Sequence, residues 1–154
     1  MSASDGPAFI HATALVLGER GLLLRGASGA GKSALALALL ARFSQKGDFA
    51  RLVGDDRVSV EAMNGRLLAR PHPAIAGVIE ARGLGLLRMP HESVCALHAV
   101  IDVHQGEQAP PRLPDEEAQW ASLAGIKLPR LATLGCSDAS VARIIFFVQR
   151  ITTI

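Results

Sequence analysis

The stretch Gly26-Ala27-Ser28-Gly29-Ala30-Gly31-Lys32-Ser33, GASGAGKS, limits what this chain can fold into more than any other. Its glycines, lysine and hydroxyl residue fall at the spacing of a phosphate-binding loop. Gly26, Gly29 and Gly31 can take backbone conformations closed to other residues. A loop of that kind turns its N–H groups inward onto phosphate oxygens, and the helix after it adds the positive end of its dipole. Lys32 then reaches the β and γ phosphates, and the Ser33 hydroxyl is placed for Mg²⁺. The flanks agree: Leu22-Leu23-Leu24 reads as a buried strand, and Ala34 to Phe43, ALALALLARF, is rich in helix formers. With glycine near 7% of residues, such a match arises by chance in roughly one of a few hundred chains of this length. The competing reading is a glycine-rich turn with no ligand.

The chain has 154 residues, a length that points to a single domain spanning 1–154 with a proper core. About half of it is hydrophobic and the net charge is +2, so it is globular and carries no basic footprint for nucleic acid. With five Phe, one Trp and no Tyr it lacks the material for base-stacking platforms. Cys95 and Cys136 have no metal-ligand spacing and read as reduced thiols of a cytoplasmic protein. The start, MSASDGPAF, is no secretory signal. The longest apolar run, Ala34 to Ala41, is too short to span a bilayer.

In chain order, residues 1–7 read as a loose tail and Ala8 to Leu17 as a strand containing His11. Gly18-Glu19-Arg20-Gly21 signals a hairpin into GLLLR. A hairpin at that place departs from the doubly wound arrangement, where the loop follows the first strand of a βαβ unit. The helix after the loop ends near Phe43. Arg51 to Asp56 reads as a strand ending in two acids, and Arg57 to Met63 and Arg66 to Arg70 as strands joined by the turn Asn64-Gly65. Gly77 to Met89 is apolar with Glu80 and Arg82 embedded, Ala96 to Val103 is a buried strand, and Gly106 to Pro114 is a Pro-rich exposed segment. Asp115 to Leu123 is expected as a short helix capped by Asp115, and Ser137 to Ile151 as a closing helix capped by Ser137.

Phosphoryl transfer also needs a carboxylate that orders a metal and a group that handles the acceptor proton. Two stretches compete on pattern alone, at about even odds. Asp102 ends a strand, and Asp55-Asp56 is a pair that would repel itself without a nearby cation. Glu80 and Arg82, two apart on a strand, would share a face. They could join a metal-binding oxygen to a phosphate-binding fork, or form a surface ion pair worth little. His11 alone reads as a structural strand histidine, and so do His72, His91, His98 and His104.

Together, IHA, GLLLRGASGAGKS, LVGDD and GVIEARGLGLL, running from Ile10 to about Leu87, resemble the catalytic domain of the HPr kinase/phosphorylase family. That resemblance implies an α/β phosphate-loop kinase fold of the HPr kinase and phosphoenolpyruvate carboxykinase type, a mixed sheet with flanking helices. It accounts for the hairpin before the loop. It implies ATP and Mg²⁺ as cofactors and an HPr-like phosphocarrier of the phosphotransferase system as the protein substrate, with neither nucleic acid nor membrane as partner and room for a homo-oligomer. It gives Lys32 to the phosphates, Ser33 and Glu80 to Mg²⁺, Asp55 to the metal and phosphate cluster, and Asp56 to the proton of the acceptor serine. His11 and Arg82 join the active-site set, and Asp102 falls back to a structural role. Longer members carry an N-terminal domain; here the motifs begin almost at once, as in a short, stand-alone form. The family's C-terminal Gly-Arg-Asn has no counterpart in KLPRLATLGCSDASVARIIFFVQ, where Arg130 is a positional candidate for the family's catalytic arginine. Two rivals remain: another small-molecule kinase or nucleotide hydrolase on the same loop, and a catalytically weak nucleotide-sensing module.

Overall fold

The computed structural model describes residues 8–106 and 112–152. The expected tail at 1–7 lies outside them, as does the middle of the Pro-rich segment. Among the described residues, eleven strands and two α-helices follow in order: β1 (Phe9–Ile10), β2 (Ala12–Leu17), β3 (Arg20–Arg25), α1 (Lys32–Gln45), β4 (Ala50–Gly54), β5 (Val58–Met63), β6 (Arg66–Pro71), β7 (Val78–Ala81), β8 (Gly85–Arg88), β9 (Cys95–His104), β10 (Trp120–Leu123), β11 (Ile126–Leu134) and α2 (Asp138–Thr152). Single 3₁₀ turns occupy Pro73–Ile75 and Glu116–Gln119.

Nine strands form one mixed sheet in the order β1-β5-β6-β9-β3-β2-β4, with β11 beside β9 and β10 beside β11. The fold is a mixed α/β one, as the sequence led us to expect. β9 sets its shape. The first residues of β9 pair with β6 antiparallel, and its later ones, Val100 to His104, pair with β11 parallel along the same edge. The sheet therefore forks and curls. Its other edge takes β3 in parallel, and β3 takes β2 as the antiparallel hairpin read from Gly18-Glu19.

Alternation of side chains gives this sheet two cores. Leu15, Leu22, Leu24, Ile101 and Val103 face α1 and α2, whose Leu35, Leu39, Ile144 and Val148 complete a helix-side core. Ala14, Leu23, Val53, Val58, Leu67 and Val100 fill the opposite face, inside the curl. Leu22 and Leu24 are fully buried, so truncating either would cost about 2–5 kcal/mol and loosen the strand that launches the phosphate loop. Burial of this kind explains why GLLLR became an inner strand, between β9 and β2.

Several local expectations need correction. The strand foreseen over 8–17 breaks at His11: β1 pairs with β5 while β2 pairs with β3 and β4, and the bend between them leaves His11 exposed. The helix foreseen over 115–123 is only the 3₁₀ turn Glu116–Gln119, followed by β10, and Asp115 makes no side-chain cap there. Positive φ at Ala124 and Gly125 turns the chain back into β11. That strand was not foreseen, since KLPRLATL carries a proline. Pro129 is the last residue opposite β10 and Arg130 the first opposite β9, a changeover that tolerates a missing N–H. Ser137 does cap α2: its Oγ accepts from the Ser140 N–H at 3.1 Å.

Candidate active site

The glycine-rich loop of residues 26–31 connects the end of β3 to the start of α1 across the top of β9. A Cβ on Gly26 would lie 2.4 Å from the Val103 carbonyl oxygen, so only glycine lets the loop pass. Ala30 N–H bonds back to the Ala27 carbonyl, and Gln105 Nε2 donates to the Ser28 carbonyl from the end of β9. Gly31, at φ 111°, is the N-cap of α1. It offers no side-chain cap, and the first turn carries no acid. The positive end of α1 is thus left for an outside anion.

Lys32 is buried to 6% exposure, and its Nζ donates to the carbonyls of Gly26 at 2.7 Å and Ala27 at 3.0 Å. Burial pushes its pKa down, and Asp55 and Asp56 partly oppose that. Ser33 Oγ donates to Asp55 at 2.8 and 3.0 Å. Asp55, 5% exposed at the end of β4, also accepts from Thr13 Oγ1 at 2.7 Å and from the Glu80 N–H at 3.4 Å. One carboxylate thereby ties together β2, β4, β7 and the loop's helix.

Asp56 leaves this cluster and faces outward. Arg57 N–H bonds to the Asp55 carbonyl at 2.8 Å, a three-residue turn with Asp56 at its centre at φ 69°. Left-handed backbone at a non-glycine is strained, and such strain concentrates at functional sites. Gly54 makes the turn fit, since a Cβ there would stand 2.7 Å from Val58 Cγ1. His11 Nε2 lies 3.3 Å from Asp56 Oδ1, with both side chains more than half exposed. The bend that broke the expected strand is what brings His11 there.

A cavity of about 850 Å³ gathers these groups: His11, residues 28–34, Asp55, Asp56, Glu80 and Arg82 all line it. Gly26 and Ala27 are not among its lining residues, and their carbonyls accept from Lys32 Nζ. Glu80 and Arg82 reach the cavity by a different route from the one expected. β7 ends at Ala81 and Arg82 lies in the turn of the two-stranded ribbon β7–β8, so the two do not share a strand face, and no ion pair joins them among the described residues.

The structure places the two candidate acids on opposite faces of the sheet, with Asp55 beside the glycine-rich loop. Asp102 points to the face of β9 away from α1 and accepts from Arg25 Nε at 2.8 Å and Nη2 at 2.9 Å, and from Arg130 Nε. Burial raises its pKa, but these hydrogen bonds outweigh it and hold the carboxyl below the ordinary range. Arg130 also donates to the Ala118 carbonyl at 2.7 Å and lines no part of the cavity. Of the other histidines, His98 Nδ1 accepts from Gly21 N–H and His72 Nδ1 from Ala74 N–H, both structural roles.

Two groups of the site were missed by sequence reasoning. Thr13 looks like an ordinary β-branched strand residue, and nothing local reveals its hydroxyl's partner. Cys136 lines the cavity because the β11–α2 connection passes beside Gly31. Burial and Asp138 raise its thiol pKa, while burial pushes the Cys95 thiol up to about 12.

Ser33 Oγ, Asp55 and Glu80 offer hard oxygen donors at one wall. No group of three His, Cys, Asp or Glu side chains forms a metal cluster among the described residues. The hydroxyl and two carboxylates on that wall are the kind of donor set that suits Mg²⁺, which takes one or two carboxylates together with substrate phosphates. No helix among the described residues is long and apolar enough to cross a membrane.

The profile of the HPr Serine kinase C-terminal domain matches residues 7–105. An HPr kinase/phosphorylase of Clostridium tetani is 37% identical over 83 residues, 54% of this chain and 25% of that protein. One of Streptococcus thermophilus is 29% identical over 132 residues, 79% of this chain and 40% of that protein. The chain spans about a quarter of the length of most of the curated relatives it matches. The solved Hpr(Ser) kinase/phosphatase of Coxiella burnetii superposes with a TM-score of 0.72 at 23% identity, over 93% of this chain and 95% of that one, a likeness of fold.

Proposed function

The chain belongs to the HPr Serine kinase C-terminal domain family, and we propose that it transfers the γ-phosphoryl group of ATP, with Mg²⁺, to a serine of an HPr-like phosphocarrier protein in the cytoplasm. The observation that carries this reading is the Ser33–Asp55 hydrogen bond. It joins the phosphate loop to an acid pair whose second member faces the open cavity beside His11.

The residues divide the work. Lys32 exchanges the Gly26 and Ala27 carbonyls for β and γ phosphate oxygens, and an arriving anion supplies the counter-charge that burial withholds. The N–H groups of residues 29–33 and the open end of α1 hold the remaining oxygens. Ser33, Asp55 and Glu80 would hold Mg²⁺, which when bound neutralises charge on the transferring group. Asp56 accepts the proton of the acceptor serine, and His11 orients the Asp56 carboxylate at 3.3 Å. Arg82, on the rim, offers a fork for phosphoryl oxygens. Most of the rate comes from positioning and charge stabilisation. The same Asp56 returns the proton in the reverse, phosphorylase direction.

The Asp56→Asn variant tests the assignment: ATP binding should persist while transfer falls by about 10²–10⁴-fold. Equal transfer by the variant would remove Asp56 from the reaction. A second reading, a nucleotide-sensing module with little transfer, is favoured by one observation: Arg130 is held by Asp102, away from the cavity. It expects ATP binding without transfer by the unaltered protein.

A further inference from the structure

Thr13 is fully buried on the helix-side face of β2, beside Leu15 and Leu17. A valine would fill the same space without needing a hydrogen-bond partner, and β-branched residues suit a strand equally. The hydroxyl therefore calls for a reason, and its one hydrogen bond supplies it: Thr13 Oγ1 donates to Asp55 Oδ1 at 2.7 Å. Thr13 and Asp55 lie 42 residues apart in the chain.

Asp55 is otherwise held by Ser33 Oγ and, at 3.4 Å, by the Glu80 N–H. Ser33 cannot be the fixed point. A serine that ligates a cation must turn a lone pair to the metal, and it can do so best while its hydrogen points at a carboxylate already in place. Glu80 N–H is a long contact, and it comes from the β7–β8 ribbon, outside the main sheet. Thr13 is the donor that stays the same whether or not a cation is bound, since it is buried in β2, inside the main sheet between β3 and β4.

We propose that Thr13 is a positioning residue for the magnesium site. It pins Asp55 Oδ1 so that the carboxylate keeps the Ser33 hydroxyl oriented with its lone pair toward the cation. This rests on the kinase reading above, because it assumes that Ser33 and Asp55 serve Mg²⁺. Thr13 lines no part of the cavity, and its loss is expected to weaken nucleotide binding with Mg²⁺ while leaving binding without Mg²⁺ unchanged.

The test compares the unaltered protein with Thr13→Val, Thr13→Ser and Thr13→Ala. Binding of a fluorescent N-methylanthraniloyl ATP is followed without Mg²⁺ and across a Mg²⁺ titration. Thr13→Val and Thr13→Ala should bind the nucleotide normally without Mg²⁺ but need about tenfold more Mg²⁺ for half-saturation, the loss of one hydrogen bond to a charged group. Thr13→Ser, which restores the hydroxyl, should recover the lower requirement. An unchanged Mg²⁺ requirement in Thr13→Val, or equal weakening with and without Mg²⁺, would overturn the role while leaving the kinase reading intact. Failure of the unaltered protein to bind the nucleotide would overturn both.

Discussion

Ser33 Oγ donates to Asp55 Oδ1 at 2.8 Å across 22 residues of sequence, closing the phosphate loop's helix onto the end of β4. The contact makes the glycine-rich loop one wall of the candidate site, because the residue after Asp55 carries the exposed carboxylate of Asp56.

Removing that anchor should damage the fold as well as the chemistry. Asp55→Ala leaves the Thr13 and Ser33 hydroxyls without their acceptor. It is expected to lower stability by about 2 kcal/mol in urea unfolding, whereas Ser33→Ala, which leaves Asp55 its Thr13 donor, should cost less.

Asp56 should show a trade between strain and function. Its φ of 69° suits glycine better than aspartate. Asp56→Gly is expected to raise the thermal midpoint, through roughly 1 kcal/mol of relieved strain, while abolishing phosphoryl transfer. A fall in stability would argue against strain at this turn.

Lys32 carries a buried charge whose pKa is lowered chiefly by burial. Lys32→Met should therefore leave the stability of the nucleotide-free protein unchanged or slightly raised, while ATP affinity drops at least a hundredfold, as calorimetric titration would read.

The Arg25–Asp102–Arg130 cluster makes a pH prediction. The Asp102 carboxyl is held below its ordinary range in the fold, so the folded state binds that proton less readily than the unfolded chain. Its stabilisation is complete above about pH 4, the unfolded value, and is lost as pH falls through the lower folded one. Asp102→Asn should cost about 2 kcal/mol at pH 7 and flatten the acid limb of the stability profile.

What the sequence made legible was local. GASGAGKS announced its loop because the glycines, lysine and serine act within eight residues, and the hairpin at Gly18-Glu19 and the cap at Ser137 were visible for the same reason. Choosing between Asp55 and Asp102 was beyond pattern, because both end apolar runs. The choice depends on Ser33 reaching one and two arginines capturing the other. β11 escaped notice because its pairing with β9, not its own composition, makes KLPRLATL a strand. His11 was read as lying within a strand, yet a bend there delivers it to Asp56. Thr13 could not be distinguished from a packing residue without its partner.

The most direct measurement mixes the purified protein with ATP, Mg²⁺ and the HPr-like carrier from the same organism, and reads the carrier's intact mass. One added phosphate on a serine, absent with Asp56→Asn, is the result expected. No added mass, with ATP binding intact, would contradict the kinase and leave a nucleotide-sensing domain in its place.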